Sequence, residues 1–497
     1  MSLLRPLLLL LLLPFALAAR PFTVMVYNVE NLFDADGKAL FDDYEPQRYS
    51  RQHVLTKLQN ITKAVAQVDE GRGPDIILFQ EIEADQTPGA TPPDYAAILQ
   101  RHAGVKIGAM LGARYSAEIA DLPAEALLLK AFEDAGLTGY TVVAAENVTA
   151  AETTNPLAQK CVTFTRFPVK AVRSHPTLDA RAILEVQVEV DGALLYLFNN
   201  HWKSGAGDPV SEPTRVANAR TLRARLDEIL QADPQADIII GGDFNSQYNQ
   251  KVRYPKMKVT GINDTLGSQG NELAVRGVQR DLYNTWFELP AAERGSDTYQ
   301  NEWGTLMQLL ITRGLYDFRG VQYVDNSFAV VKVRGLNMDD LGLPIRWSFA
   351  GPGGMGFSDH FPILAKFTTV PDNQPQRYLA LPNASAETGT STANRVDFAH
   401  VDLEKIALSL KDLPKKASLR DGKYTGRILR IEGHAGTGKN LTVRVRGDLY
   451  DVWSPDAALR EQLREQYAPE QRIRFYGELN QYKGRWQFII RDPSWVK

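Results

Sequence analysis

A chain of 497 residues is too long for one ordinary hydrophobic core, so two or three domains are expected. Its 44% hydrophobic and 23% charged content is that of a soluble globular protein and excludes fibrous and low-complexity classes. The formal net charge of −3 is unevenly placed: residues 418–497 carry 15 Lys and Arg against 10 Asp and Glu, leaving an acidic body and a basic tail. Such a tail suits an anionic partner, the plainer reading being a solvated surface.

In chain order, Arg5, the leucine block Leu7–Leu13 and Ala16-Leu17-Ala18 form the three regions of a cleavable signal peptide over residues 1–18. The block is short for a bilayer span, and no later segment is apolar enough to cross a membrane. Cys161 is the single cysteine, so no internal disulfide can form. Export without disulfides fits a bacterial periplasm or exterior, giving a secreted or periplasmic localisation.

Residues 20–370 form the expected main domain. Thr23–Tyr27, Ile76–Phe79, Thr141–Ala145, Ile183–Val190, Leu194–Phe198, Asp237–Ile240 and Ile363–Phe367 read as buried strands. Arg48–Val68 and Pro213–Leu230 have helical spacing, and Asp191-Gly192 marks a hairpin. Sheets covered by helices follow. Residues 371–415 read as a linker, rich in Pro, Asn, Ser and Thr up to Asn394, then a short helix over Asp402–Leu410. Residues 416–497 predict a small all-β module: strands at Tyr424–Ile431, Leu441–Arg446, Arg472–Gly477 and Trp486–Ile490, with one helix at Pro455–Tyr467.

Short polar clusters close the apolar runs of the main domain. They are Asn28-Val29-Glu30, Gln80-Glu81, Asn199-Asn200-His201-Trp202, Gly241-Gly242-Asp243-Phe244-Asn245 and Ser358-Asp359-His360. A strand-end Asn or Asp is often only a turn former, and a lone His is more often structural. Five such clusters in one chain converge only if their strands lie side by side. Glu30, Glu81, Asp243 and Asp359, with Asn28 and Asn245, would then offer oxygen donors of the kind Mg²⁺ takes. His201 and His360 could protonate a leaving oxygen or hold a phosphoryl oxygen.

The set and its order resemble the endonuclease/exonuclease/phosphatase superfamily, the DNase I-like fold, over nearly all of residues 22–370. The resemblance implies a four-layer α/β sandwich and hydrolysis of phosphate esters. It implies metal ligation by Asn28, Glu30, Glu81, Asp243 and Asp359, with Mg²⁺ as the cofactor and Mn²⁺ or Ca²⁺ as alternatives. It implies a catalytic set of His201, Asp243, Asn245, Asp359 and His360. Arg181, Lys203 and Ser204 would face substrate phosphate. One departure stands out. Many members of the superfamily carry an acid, paired with the last histidine, where Leu306-Met307-Gln308 here places Met307; Asp359, Gln308 or Asp297 could substitute.

In the tail, Tyr482-Lys483-Gly484-Arg485-Trp486-Gln487-Phe488 interleaves bases and aromatics. With Arg474 and Tyr476 it resembles an OB-fold, which implies single-strand binding by stacking and phosphate neutralisation through Arg474, Tyr476, Tyr482, Lys483, Arg485 and Trp486. The bland reading is barrel core and solvated arginines. Gly433-His434-Ala435-Gly436-Thr437-Gly438-Lys439-Asn440 nearly matches a P-loop, but a strand-like Leu441–Val445 follows where a helix is required, so no nucleotide cofactor is expected. The reading is therefore α/β: a four-layer DNase I-like sandwich with a second, smaller all-β OB-like barrel. It describes an exported, monomeric, metal-dependent endonuclease acting on DNA or RNA. The alternatives are a sphingomyelinase or small phosphate-ester phosphatase, and a catalytically weak nucleic-acid-binding protein.

Overall fold

The computed structural model describes residues 21–87, 93–146, 148–153, 156–370, 373–374, 389–414, 418–420, 423–436, 440–482 and 484–497. The expected signal peptide, most of the 371–394 stretch, Thr437–Lys439 and Lys483 lie outside the described residues. Among the described residues no helix is long and apolar enough to cross a membrane.

Two mixed sheets stack face to face. The first runs Val321–Tyr323, Ile363–Thr369, Pro21–Leu32, Ile76–Glu83, Gln159–Thr165, Thr141–Ala144. The second runs Val169–His175, Ile183–Val190, Ala193–His201, Asp237–Asp243, Met307–Ile311, Leu282–Asn284, Ser268–Gln269. Alternate residues of each strand serve different layers, as the two-residue period of a strand demands. Val24, Val26, Ile76 and Leu78 pack inward against Leu195, Leu197, Ile239 and Leu309. Met25, Tyr27, Ile77 and Phe79 point outward to the helices Arg51–Val65 and Ala124–Asp134. Ile238, Ile240 and Phe198 of the second sheet meet the helix Glu212–Ala232. The result is the helix–sheet–sheet–helix sandwich expected for residues 20–370.

Gly241 and Gly242 let the sheets close on each other. A Cβ on Gly241 would press on Leu78 and Val26 of the opposite sheet, and one on Gly242, at φ 146°, would collide with the Asn200 carbonyl. Side-chain amides then tie the layers. Asn199 donates to the carbonyls of Phe79 and Val162 (3.1 Å each) and accepts from Gln80 at 2.7 Å. Gln80 and Asn199 thus hold the sandwich together; their place among the polar clusters reflects buried backbone satisfaction.

Glu185 bridges the second sheet to its helix, accepting from Arg225 (2.8 and 2.9 Å) and pairing with His175 at 2.8 Å. Burial raises its pKa, but the bonds from His175, Arg225 and Gln187 prevail and hold it down at about 2. A depressed carboxyl pKa stabilises above the unfolded value and loses that contribution as pH falls through the folded one. Glu185→Gln is therefore expected to cost about 2 kcal/mol at pH 7. It should also flatten the acid limb of urea-melt stability between about pH 4.5 and 2.

The C-terminal module is a closed barrel. Its strands follow the order Ile428–Gly436, Thr442–Val445, Asp448–Trp453, Arg485–Ile489, Arg472–Tyr482, and the last pairs back with the first. Closure removes the free edges of a five-stranded sheet. Phe475, Phe488 and Tyr450 fill the interior, with Phe488 4.9 Å from Tyr450 and 5.8 Å from Phe475 between ring centroids. The helix Ala457–Gln466 matches expectation. Strand Thr442–Val445 follows the glycine-rich segment, as the rejection of a P-loop required. The expected helix over Asp402–Leu410 is shorter: Leu403–Ile406 is helical and Leu408–Ser409 joins the barrel as a strand.

The barrel does not hang free. Leu343 of the sandwich is buried within the barrel's apolar cluster, and Arg427 pairs with Asp340 at 2.8 Å. The end of the 371–394 stretch is pinned too: Trp303 N–H donates to the Asn394 carbonyl (2.7 Å), and Asn394 Nδ2 donates to the Arg294 carbonyl (3.2 Å).

Candidate active site

The polar clusters converge at one end of the sandwich. Parallel pairing of Ala193–His201 with Asp237–Asp243 sets His201 directly beside Asp243. Antiparallel pairing places Met307 opposite Asp243 on the other side. In the first sheet Asn28 pairs with Gln80, and the register then slips: Val29, Glu30 and Asn31 together oppose the single residue Glu81. Bulges of this kind re-aim side chains at strand ends. Here they put Glu30 (φ 50°), Asn31 (φ 66°) and Glu81 (φ 65°) in the left-handed region, and Asn245 (φ 47°) joins them after Asp243.

Asn28 is the hub. Its Nδ2 donates to Glu81 Oε1 and Asp243 Oδ2, both at 3.0 Å, and its Oδ1 accepts from Glu30 N–H at 2.9 Å. The amide therefore holds the two carboxylates together. Ser358 Oγ donates to the Asn28 carbonyl (2.7 Å) and accepts from His360 N–H (3.1 Å), fixing the last motif to the first. Asp243 Oδ1 accepts from Asn245 N–H (2.8 Å), while Asn245 Nδ2 donates to the Trp202 carbonyl (3.1 Å). Asn245 thus positions Asp243.

His201 and His360 flank Asp243 symmetrically, each Nε2 3.8 Å from its Oδ2. Their electrostatics differ. Burial holds His201 well below its ordinary pKa, and Arg181 and His360 push the same way. Burial also opposes charge on His360, but Asp359, Asp243 and Asp297 outweigh it and raise it to about 9. Their surroundings thus push the two rings in opposite directions.

Near the position where Met307 replaces the expected acid, Asp297 approaches the Nδ1 side of His360. Its Oδ1 lies 3.9 Å from His360 Nδ1, and the two residues form an isolated antiparallel bridge. Ser296 Oγ and Leu306 N–H donate to the same oxygen at 3.2 Å each. A side chain at Gly304 would collide with Asp297 Oδ2, so glycine is required where Gly304 pairs across from Asp297. Of the three substitutes considered, Asp359 also approaches His360 (3.7 Å to Nε2), whereas Gln308 bonds Asn284 at 2.6 Å and the Ser246 carbonyl at 2.5 Å, away from the imidazole.

Glu30 accepts from Trp347 N–H (2.7 Å), and Arg346 reaches Glu30 and Asp359 at 3.4 and 3.3 Å. Arg346 was invisible to motif reading because it sits on an irregular loop. Arg181 bonds Gln159 and stands near enough to Glu81 to offset part of the rise that burial and Asp359 impose on its pKa. Lys203 and Ser204 belong to a loop organised by buried Arg215, which donates to their carbonyls and to that of Gly205. Neither side chain is placed by a contact to the cluster.

Glu81, His201 and Asp243 each offer a ligand atom within 4.8 Å of the others. Burial raises the Glu81 pKa, and the Asp359 charge raises it further. Crowded acids that repel one another, with oxygen donors facing one point, fit a hard divalent cation.

On the barrel, Tyr476 is 1% exposed and its hydroxyl bonds Glu404, so its ring is closed to stacking and its expected role is withdrawn. Arg474 pairs with Glu432 at 2.8 Å. Trp486 is half-buried against the core. Tyr482 and Arg485 instead line a cleft of about 970 Å³ between barrel and sandwich. Trp453 and Gln487 share that cleft with Glu30, Arg346 and Trp347 of the sandwich.

The sandwich and its strand-end cluster define the DNase I-like class. Residues 157–369 match the model described as "Endonuclease/Exonuclease/phosphatase family", so this stretch of the chain is similar to that family. Similar solved structures include an endonuclease/exonuclease/phosphatase from Beutenbergia cavernae DSM 12333 (16% identity, 70% of this chain and 72% of that one, TM-score 0.39). TDP2 from C. elegans is another (15% identity, 70% and 75% coverage, TM-score 0.36). A Bacteroides thetaiotaomicron family protein is a third (13% identity, 70% and 98% coverage, TM-score 0.37). No curated protein matches the sequence.

Proposed function

We propose that this protein is an exported, divalent-metal-dependent phosphodiesterase that hydrolyses DNA or RNA internally by in-line attack of water. The observation that carries the reading is the shared environment of Asp243: Asn28 ties it to Glu81, and two buried histidines face the same oxygen. Glu81 and Asp243 would hold the cation, Mg²⁺ by preference, with Glu30 and Asp359 at its margin. Bound there, it would supply charge neutralisation at the scissile phosphate.

The chain's own groups account for the rest. Asp243, oriented by Asn28 and Asn245, accepts a proton from the attacking water. Cationic His360, with the Asp297 and Asp359 carboxylates nearby, donates to a non-bridging phosphoryl oxygen. Neutral His201 is placed to hydrogen-bond water or the leaving oxygen. Arg181 and exposed Arg346 provide positive charge at the rim, and guanidinium geometry suits phosphate. A nucleic acid is favoured over a lipid headgroup by the cleft. Tyr482 (62% exposed) and Trp453 (38% exposed) offer stacking surfaces beside Arg485.

The test is hydrolysis of plasmid DNA, single-stranded RNA and sphingomyelin with and without chelator. Chelator-sensitive cutting of a nucleic acid is expected. Hydrolysis of sphingomyelin alone would transfer the site to lipid chemistry, and inactivity with every divalent metal would leave only binding. Tyr482→Ala and Trp453→Ala should each raise KM for long single strands several-fold at nearly constant kcat, since stacking contributes about 1–3 kcal/mol per base. An unchanged KM would remove the cleft from substrate handling.

A further inference from the structure

A second group of acids stands apart from the catalytic cluster and shares no residue with it. Glu272, Glu288 and Asp325 each present a carboxylate oxygen within 4.8 Å of the other two. They come from three separate places. Glu272 opens the helix Glu272–Gly277, and Glu288 ends the turn Thr285–Glu288 that follows strand Leu282–Asn284 of the second sheet. Asp325 follows Val321–Tyr323, the strand at the end of the first sheet. The three carboxylates therefore meet where the borders of two separate sheets come together.

Their surroundings satisfy them incompletely. Tyr316 Oη donates to Glu272 Oε1 at 2.8 Å, Tyr323 Oη reaches both oxygens of Glu288 at 2.8 Å, and Phe328 N–H donates to Glu288 Oε2 at 3.2 Å. Glu272 Oε2, on a residue only 1% exposed, is buried without a hydrogen-bond partner, and so is Asp325 Oδ1. A buried carboxylate oxygen without a donor is costly. Burial pushes Glu272 up to about 7 and Glu288 to about 8, and Asp325 adds to both; Arg276 offsets part of this at Glu272.

We propose that Glu272, Glu288 and Asp325 form a structural site for one calcium ion that fastens the border of the first sheet to that of the second. Oxygen-only donors select a hard cation. Calcium takes six to eight oxygens at about 2.3–2.6 Å, so donors on one ion can stand as much as roughly 5 Å apart. Magnesium keeps several of its waters. A pocket that buries Glu272 this deeply has little room for them, which favours calcium. The orphan oxygens of Glu272 and Asp325 are the natural first ligands, with Glu288 as the third.

The experiment is calorimetric titration and thermal unfolding of metal-stripped full-length protein in CaCl2, MgCl2 or chelator. It is run on the wild type, on Glu81→Gln to disable the catalytic cluster, and on Glu81→Gln combined with Glu288→Gln or Asp325→Asn. Glu81→Gln should still bind one calcium per chain in preference to magnesium and unfold about 5 °C higher at a hundredfold excess over Kd. Either second substitution should abolish that binding and that rise. In chelator the same proteins should unfold no lower than Glu81→Gln, because the amide relieves like-charge crowding. Asp325→Asn, in a partly exposed turn, keeps the test open if Glu288→Gln does not fold. Absence of a calcium-dependent rise in Glu81→Gln would overturn the site, as would a rise that persists in both double variants.

Discussion

Asp243→Asn is expected to lower nucleic-acid hydrolysis by about 10²–10⁴-fold in kcat, the usual contribution of a positioned general base. The substitution keeps the side chain's size and one carbonyl oxygen for Asn245 N–H. It places an amide where Asn28 Nδ2 and both imidazoles now face an anion. Three consequences follow together: the attacking water loses its acceptor, the cation loses a carboxylate, and His360 loses one of three nearby anions. Because Asp243 is 2% exposed and lies in the core pairing of the second sheet, unfolding must be measured alongside. A folded variant with kcat within fivefold of wild type would remove Asp243 from the chemistry.

The second large effect is at Asp297. Asp297→Asn is expected to reduce kcat on the order of 10²-fold while leaving KM for short substrates within about twofold, since the residue acts through His360. It should also displace the His360 ring resonances seen by NMR, a signal that a general loss of stability would not move selectively. Combined with His360→Ala, the double variant should fall no further than His360→Ala alone, the coupling expected of two groups that work as a unit. Additive losses would mean that Asp297 matters only to the backbone bridge it makes with His360.

The positions of these two acids explain what could be read from the chain. Asp243 was legible because it ends the apolar run Ile238–Ile240, and a polar cluster after a buried strand must emerge at a sheet end. The same logic found Glu81 and His201 and, with the ordered motifs, the four-layer sandwich, whereas His360 precedes its strand Ile363–Thr369 instead of closing one. Asp297 was only one of three possible substitutes, because it sits in the three-residue strand Asp297–Tyr299, too short to show a period. Arg346 had no periodic context at all, and the Glu272, Glu288 and Asp325 group is assembled from unrelated turns. Tyr476 was misread because its strand is covered on its outer side, where Glu404 of a preceding helix caps the hydroxyl. The alternation that separates inside from outside fails wherever a second element covers the outer face.

The left-handed backbone at Glu30, Asn31, Glu81 and Asn245 bears on how this site could change over time. Side chains other than glycine are strained there, asparagine and aspartate least. At Glu30 and Glu81 a glycine would ease the backbone and thin the crowd of carboxylates in one step. Natural drift towards a sturdier fold therefore runs downhill into an empty site. Glu30→Gly and Glu81→Gly are therefore expected to raise thermal stability in chelator while weakening divalent-cation binding, a trade between sturdiness and chemistry written into the backbone.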